Sequence, residues 1–260
     1  GESLMLEING LSFGYSRRSP AVLDGLSMTL GDGEIGIILG KNGSGKTTLF
    51  KNILGISRPN GGSILFDGRD VLKMSPRERA GYAAYVPQHI HFGDLSVYDS
   101  ILMGRVSRFG LRAGKEDHEV VQQLLSDMRL EDFAYRNAEE LSGGEKQKIA
   151  IARALAQSPR LLIFDEPTGN LDVANEELII EEAKKISREK NISILSSLHD
   201  FNQALYFGDR FFFLRNGKIT HSGGAETVNE QSIGSTFDIS VKIITVENRR
   251  VVLGGKYYES

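Results

Sequence analysis

"EIGIILGKNGSGKTT", Glu34 to Thr48, is the stretch whose reading decides the fold. Its first six residues form a short apolar run that ends at a glycine, the pattern of a buried strand. The next residues, Gly40-x-x-x-x-Gly45-Lys46-Thr47, fit the phosphate-loop pattern, and helical character from Lys46 to Leu54 stops at Gly55 with Pro59 beyond. A strand feeding a glycine loop that opens a helix is the context in which this pattern has chemical meaning. Gly40, Gly43 and Gly45 let backbone N–H groups turn inward around anionic oxygens. The helix start adds the positive end of its dipole. Lys46 is placed to reach the β- and γ-phosphates, and the Thr47 hydroxyl to ligate Mg²⁺. Lys41, Asn42, Ser44 and Thr48 complete the candidate nucleotide contacts.

Outward from this loop, Asp67-Gly68 in "GGSILFDGRDV" reads as a hairpin turn between two short strands. From about Val97 to Leu155 the spacing becomes helical, most clearly in "EDHEVVQQLLSDM", with few strand signals. Strand character returns at "RLLIFDE", Arg160 to Glu166. A charged helix is expected from about Asn175 to Lys190, with Glu181 and Lys185 at i,i+4. "ISILSSLHD" is another apolar run, and "RFFFLRNGKITHS" is a hairpin closed by Asn216-Gly217. From about Ala225, short alternating pieces such as "VKIITV" and "RRVVLGG" predict a small appended strand layer. Strands alternating with helices predict an α/β fold with a mostly parallel sheet. The expected divisions are 1–88 and 158–224 as two parts of one nucleotide-binding core, 89–157 as a helical insert, and 225–260 as a C-terminal β extension.

The 260 residues can bury a proper core without staples. A formal net charge of -3 gives no global pull toward nucleic acid, and no nucleic-acid partner is expected. With no cysteine there are neither disulfides nor thiolate metal sites. "GESLMLEING" has neither the basic segment nor the apolar core of a signal peptide, and Gly1 is set aside from the fold. No apolar run approaches the ~18 residues needed to cross a bilayer. The expectation is a soluble, intracellular chain that meets a membrane only through partners.

A phosphate loop needs a carboxylate at the end of a neighbouring strand, and "LLIFDEP" supplies two. Asp165 can hold Mg²⁺ through water, while Glu166 is placed to polarise an attacking water. A second glycine-rich stretch, "LSGGEKQ", begins at Leu141. Ser142 and the N–H groups of Gly143 and Gly144 make an anion nest at a helix start; Ser142 also reads as a plain helix cap. His89-Ile90-His91 has no third ligand nearby and predicts no metal site.

Taken in order, "GKNGSGKTT", "YVPQ", "LSGGEKQ", "LLIFDEP", "NLD" and "SLHD" resemble the ATPase subunit of ATP-binding cassette (ABC) proteins, over about Leu4 to Gly224. The resemblance implies a phosphate-loop NTPase (RecA-like) core, an N-terminal antiparallel β layer and a helical signature subdomain. It also explains why one chain has two glycine clamps. Two copies pack head to tail, with ATP between the phosphate loop of one and the signature of the other. Carried over residue by residue, Gln88 resembles the glutamine that senses the γ-phosphate and Mg²⁺. His199 resembles the switch histidine that orients Glu166 and the water; the alternative is a structural histidine. Asp172 resembles the loop residue linking the two sites of the dimer, and is a candidate helix cap as well. Tyr15 resembles the aromatic that stacks on adenine, while its alternation with Leu11 and Phe13 leaves a core-strand reading open.

The resemblance further implies multi-span membrane permease subunits, an external solute-binding protein acting through them, and a place on the cytoplasmic side of the membrane. "LSVYDSILMGR", Leu95 to Arg105, "SLHDFNQALYFGDRFFFLRNGKI" and "FDISVKII" are similar to importers of iron-siderophore, haem and cobalamin type. "PTGNLD" instead resembles lipoprotein-releasing and efflux-type cassettes. Apolar residues after Gln88 (Ile90, Phe92, Leu95, Val97, Tyr98) are expected to divide between the insert's own core and a groove for a permease helix.

Overall fold

The computed structural model describes residues 4–16, 20–109, 112–169, 171–247 and 249–254. The chain falls into two compact units, one of residues 1–73 and 193–260, the other of 74–192. In chain order, unit one opens with β1 (Leu4–Phe13), β2 (Leu23–Gly31), β3 (Ile35–Leu39), α1 (Lys46–Ile53), β4 (Gly61–Phe66) and β5 (Arg69–Asp70). Unit two carries α2 (Pro76–Tyr82), β6 (Ala83–Val86), α3 (Val97–Leu102), α4 (Lys115–Asp127), α5 (Gly143–Ala156), β7 (Leu161–Asp165) and α6 (Val173–Lys190). The chain then returns to unit one with β8 (Ser193–Ser197), α7 (Phe201–Phe207), β9 (Arg210–Arg215), β10 (Lys218–Gly223), α8 (Glu230–Phe237), β11 (Val241–Val246) and β12 (Arg249–Gly254).

In unit one, β2, β1, β4 and β5 form an antiparallel layer in that order. A second set runs β10-β9-β3-β8, with β3 parallel to both β8 and β9. Every residue of β3 and β8 is buried, which is why both read as continuous apolar or small runs without alternation. In unit two, β6 and β7 pair in parallel, and β7 is buried throughout. The fold is α/β with parallel ladders in both units, as the pattern predicts, and has the antiparallel N-terminal layer that the resemblance implies.

Both hairpin turns form where expected. Asp67 and Gly68 have φ of 47° and 75°, and Asn216 and Gly217 have 49° and 74°. Two successive positive φ values are what a two-residue turn needs to match strand twist. The tail departs from the expected strand layer. The α8 helix precedes the β11–β12 hairpin, because Asn229 caps it reciprocally with Ser232 and Ile233 is fully buried. Its glycine, serines and threonine are weak helix formers, so propensity concealed it. No helix among the described residues is long and apolar enough to cross a membrane.

Candidate functional site

The phosphate loop joins β3 to α1, and Ile38 of β3 lies opposite Ser197 of β8. The loops after these parallel neighbours therefore leave the sheet at the same end, where open α/β sheets bind ligands. His199 sits in the second of these loops, exposed, followed by Asp200, which caps α7 by accepting from the Gln203 N–H at 2.7 Å.

Within the loop, Gly43 and Gly45 have φ of 78° and 110°, so only glycine sits there without strain. Gly40 is required for space: a Cβ there would lie 2.5 Å from the Leu214 carbonyl oxygen and 2.7 Å from Ser44 Oγ. Lys46 is 6% exposed and its Nζ donates to the Gly40 carbonyl at 2.8 Å, so the ammonium is folded back over the loop it serves. Lys41 and Asn42 are exposed, as is Thr47 in the first turn of α1. Thr48 turns inward instead, with its hydroxyl 3.1 Å from the Tyr15 hydroxyl. What Thr48 can offer a phosphate is its backbone N–H, since first-turn donors lack intrahelical partners. The core-strand alternative for Tyr15 does not hold. Strand β1 ends at Phe13, and Tyr15 is 67% exposed, its ring edge-on to Phe13 at 5.1 Å. Tyr15 is free to act as a stacking surface.

Unit two collects the acids. Asp165 ends β7 at 4% exposure, and the Tyr85 hydroxyl donates to its Oδ2 at 3.0 Å. Burial first, and then the Asp165 charge, pushes the Tyr85 hydroxyl above its usual range, so it remains a donor. Glu166 has φ of 52°, a left-handed backbone that costs a residue with a Cβ about 1–2 kcal/mol and recurs at functional sites. The Gln88 amide Nε2 donates to Glu166 Oε2 at 2.6 Å, leaving the amide oxygen as a donor for a cation. Within unit two, the Gln88 amide oxygen and the buried Asp165 carboxylate are hard oxygen ligands, as is the Thr47 hydroxyl in unit one, and ligands of this kind suit Mg²⁺ rather than a softer metal. Among the described residues no group of three or more histidines, cysteines and acids could hold a metal by itself.

Ser142 caps α5 in a capping box: Glu145 Oε2 accepts from the Ser142 N–H at 2.9 Å and lies 2.7 Å from Ser142 Oγ. The hydroxyl that would meet a phosphate is engaged locally, and the Ser142 contact is the first cause holding the Glu145 carboxyl below its usual range. Gly143 is exposed at the helix start. Gly144 is buried, because a Cβ there would lie 2.5 Å from Asn175 Oδ1. Asp172 caps α6, accepting from the Asn175 N–H at 2.9 Å and from its side-chain amide at 2.8 Å. Asn175 thus joins Asp172 to the signature helix. Asn170 of "NLD" lies outside the described residues.

A cleft of about 200 Å³ is bordered by Gln88, His89, Gly143, Lys146, Gln147 and Glu166. Two of these residues, Lys146 and Gln147, and the Glu139 that holds Lys146, are not singled out by the sequence. Glu139 accepts from Lys146 Nζ at 2.9 Å and from the Phe92 N–H, tying the segment after Gln88 to α5. The Lys146 hydrogen bond, then that from Phe92, holds the Glu139 carboxyl down to about 2. A depressed carboxylate contributes stability above its unfolded value and loses it as pH falls through the folded one. Stability should therefore fall between about pH 4.5 and 2 partly through Glu139, and Glu139→Gln should flatten that part of an acid-unfolding curve followed by circular dichroism. An unchanged slope would remove Glu139 from this role. Of the apolar residues after Gln88, Phe92 and Val97 are buried and Ile90, Leu95 and Tyr98 half-buried, with Tyr98 stacked between His118 and Tyr135.

These elements define a phosphate-loop nucleotide-binding protein. A family profile described as ABC transporter matches residues 23–169. An uncharacterized ABC transporter ATP-binding protein of Methanocaldococcus jannaschii is 37% identical, covering 96% of this chain and 98% of the relative. The petrobactin import ATP-binding protein of Bacillus anthracis is 35% identical, over 86% and 83% of the two chains. A solved transporter described as metal-chelate type, in an inward-facing conformation, aligns with a TM-score of 0.83 at 26% identity, over 96% of both chains. A dimeric ATP-binding cassette bound to ADP and phosphate aligns at 0.75 and 26% identity, over 85% of this chain and 98% of that one. The chain belongs to the ABC transporter family, as an ATP-hydrolysing subunit of a transporter.

Proposed function

We propose that the chain hydrolyses ATP with Mg²⁺ as one half of a head-to-tail pair and thereby drives import of a metal chelate. The observation that carries the chemistry is the Gln88 amide held 2.6 Å from Glu166, on a residue in a left-handed backbone. Lys46 and the loop N–H groups from Gly40 to Thr48 bind the β- and γ-phosphates. Thr47, Gln88 and Asp165 would hold Mg²⁺, which when bound neutralises charge on the phosphate oxygens. Tyr85 holds one oxygen of Asp165 and so fixes the orientation of the carboxylate for this task. Glu166 accepts the proton as water attacks the γ-phosphorus and ADP departs, while His199 orients the water and the γ-phosphate. Tyr15 stacks on adenine. Ser142, Gly143 and Gly144 close on the γ-phosphate of a second copy, with Asp172 at the same contact.

The exposed start of α5 supports the paired arrangement, as does the similarity to a dimeric cassette. The substrate class is supported by the petrobactin-import relative and by a metal-chelate transporter whose alignment takes in nearly the whole chain. We infer that residues 89–157 act as the lever that meets a multi-span permease, with a solute-binding protein outside, which would place the chain at the cytoplasmic face of the membrane.

Sedimentation tests the pair. Glu166→Gln should be monomeric alone and dimeric with ATP and Mg²⁺, and Ser142→Arg in the same background should stay monomeric. A monomer under all conditions overturns the head-to-tail reading, and co-purification with a permease that moves no metal chelate overturns the substrate class.

A further inference from the structure

Lys41 is the second residue of the phosphate loop, yet its ammonium is already engaged. Nζ donates to Asp238 Oδ2 at 2.6 Å. Asp238 follows α8 in a left-handed conformation, with its N–H on the Gly234 carbonyl, in a segment that has so far had no role in the nucleotide site. Arg215, at the end of β9, reaches the other oxygen of the same carboxylate at 3.1 Å. One carboxylate therefore spans two cations beside the loop. The three border a polar cleft of about 210 Å³ that also meets Ser44 and Thr236, whose buried hydroxyls have no hydrogen-bond partner among the described residues.

Exposure argues against a structural purpose for this pair. The Lys41 and Asp238 side chains are 47% and 57% exposed, and such ion pairs contribute little to folding. Their position gives them another consequence. A nucleotide bringing three phosphates to Gly40–Thr48 attracts the Lys41 ammonium and repels the Asp238 carboxylate. We propose that Asp238 competes with the nucleotide phosphates for Lys41, so that the C-terminal segment sets the affinity of the phosphate loop for ATP. The proposal rests on the phosphate loop being the ATP cradle. The Lys41 hydrogen bond comes first among the causes that hold the Asp238 carboxyl below its usual range, so the competitor is charged at neutral pH.

Equilibrium binding of ATP, ADP and adenosine to the full chain tests this, using Asp238→Asn, Lys41→Met, both together, and Lys46→Ala. Asp238→Asn should tighten ATP by about two- to fivefold at low salt, in the range of an exposed ion pair, and by less at high salt. ADP should respond less, and adenosine should not respond. In the Lys41→Met background, Asp238→Asn should tighten ATP clearly less, because only the direct repulsion between carboxylate and phosphate is then relieved. A purely structural role would weaken binding instead. Weaker or unchanged ATP affinity in Asp238→Asn, or an equal shift without Lys41, overturns the proposal. If Lys46→Ala binds ATP like the unaltered chain, the cradle itself is misread and the proposal falls with it. Failure of the proposal alone leaves Lys46→Ala defective and Asp238→Asn inert.

Discussion

Glu166→Gln should bind ATP as tightly as the unaltered chain and hydrolyse it about 10²–10⁴-fold more slowly, the contribution of a positioned general base. The substitution keeps the side-chain length and one acceptor oxygen, so the Gln88 contact at Glu166 Oε2 can persist. It removes the site that takes the proton from water. Single-turnover hydrolysis with ATP in excess of its Kd, alongside direct binding, separates the two effects. A wild-type turnover rate would take Glu166 out of the reaction and leave Asp165 as the next carboxylate to test. Loss of binding together with turnover would mean that the left-handed backbone at this position, rather than the carboxylate, was the sensitive feature.

Lys46→Ala acts one stage earlier. Its ammonium is almost fully buried and anchored on the Gly40 carbonyl, so it is held ready over the loop without searching for a position. A charged hydrogen bond of this kind contributes about 1.5–3 kcal/mol, so ATP affinity should fall by roughly 10- to 150-fold. Thermal melts give an independent reading, because a ligand that binds only the folded chain raises Tm with its concentration. At an ATP concentration near its Kd the unaltered chain should gain stability and Lys46→Ala should gain almost none. Equal gains in both would show that the lysine does not touch phosphate.

The parts of the site that were legible in the sequence are those carried by contiguous residues. A glycine loop, its lysine and its threonine are local, because a strand, a turn and a helix start place them within a few residues of each other. "LLIFDEP" was legible for the same reason, as a buried strand that must expose whatever follows it. The family resemblance extended this reach to Gln88, His199, Asp172 and Tyr15, which no spacing rule would have selected. The α8 helix was missed because its caps, Asn229 and Ser232, outweigh poor propensity, and reciprocal capping cannot be inferred from composition.

The sequence by itself determined the α/β class, the glycine loop between β3 and α1, the two acids at a strand end and both hairpin turns. Each of these is set by short-range sterics, hydrogen bonding and hydrophobic period. Only the tertiary structure decided which side chains share a hydrogen bond across long separations. It put Tyr85 on Asp165, Gln88 on Glu166 and Asp238 on Lys41, the last pair 197 positions apart. It turned Thr48 inward and Tyr15 outward, and brought their hydroxyls to 3.1 Å although the residues are 33 positions apart. Such pairings depend on the register and direction of elements distant in the chain, and a contact of about 3 Å is decided by packing that no local pattern encodes.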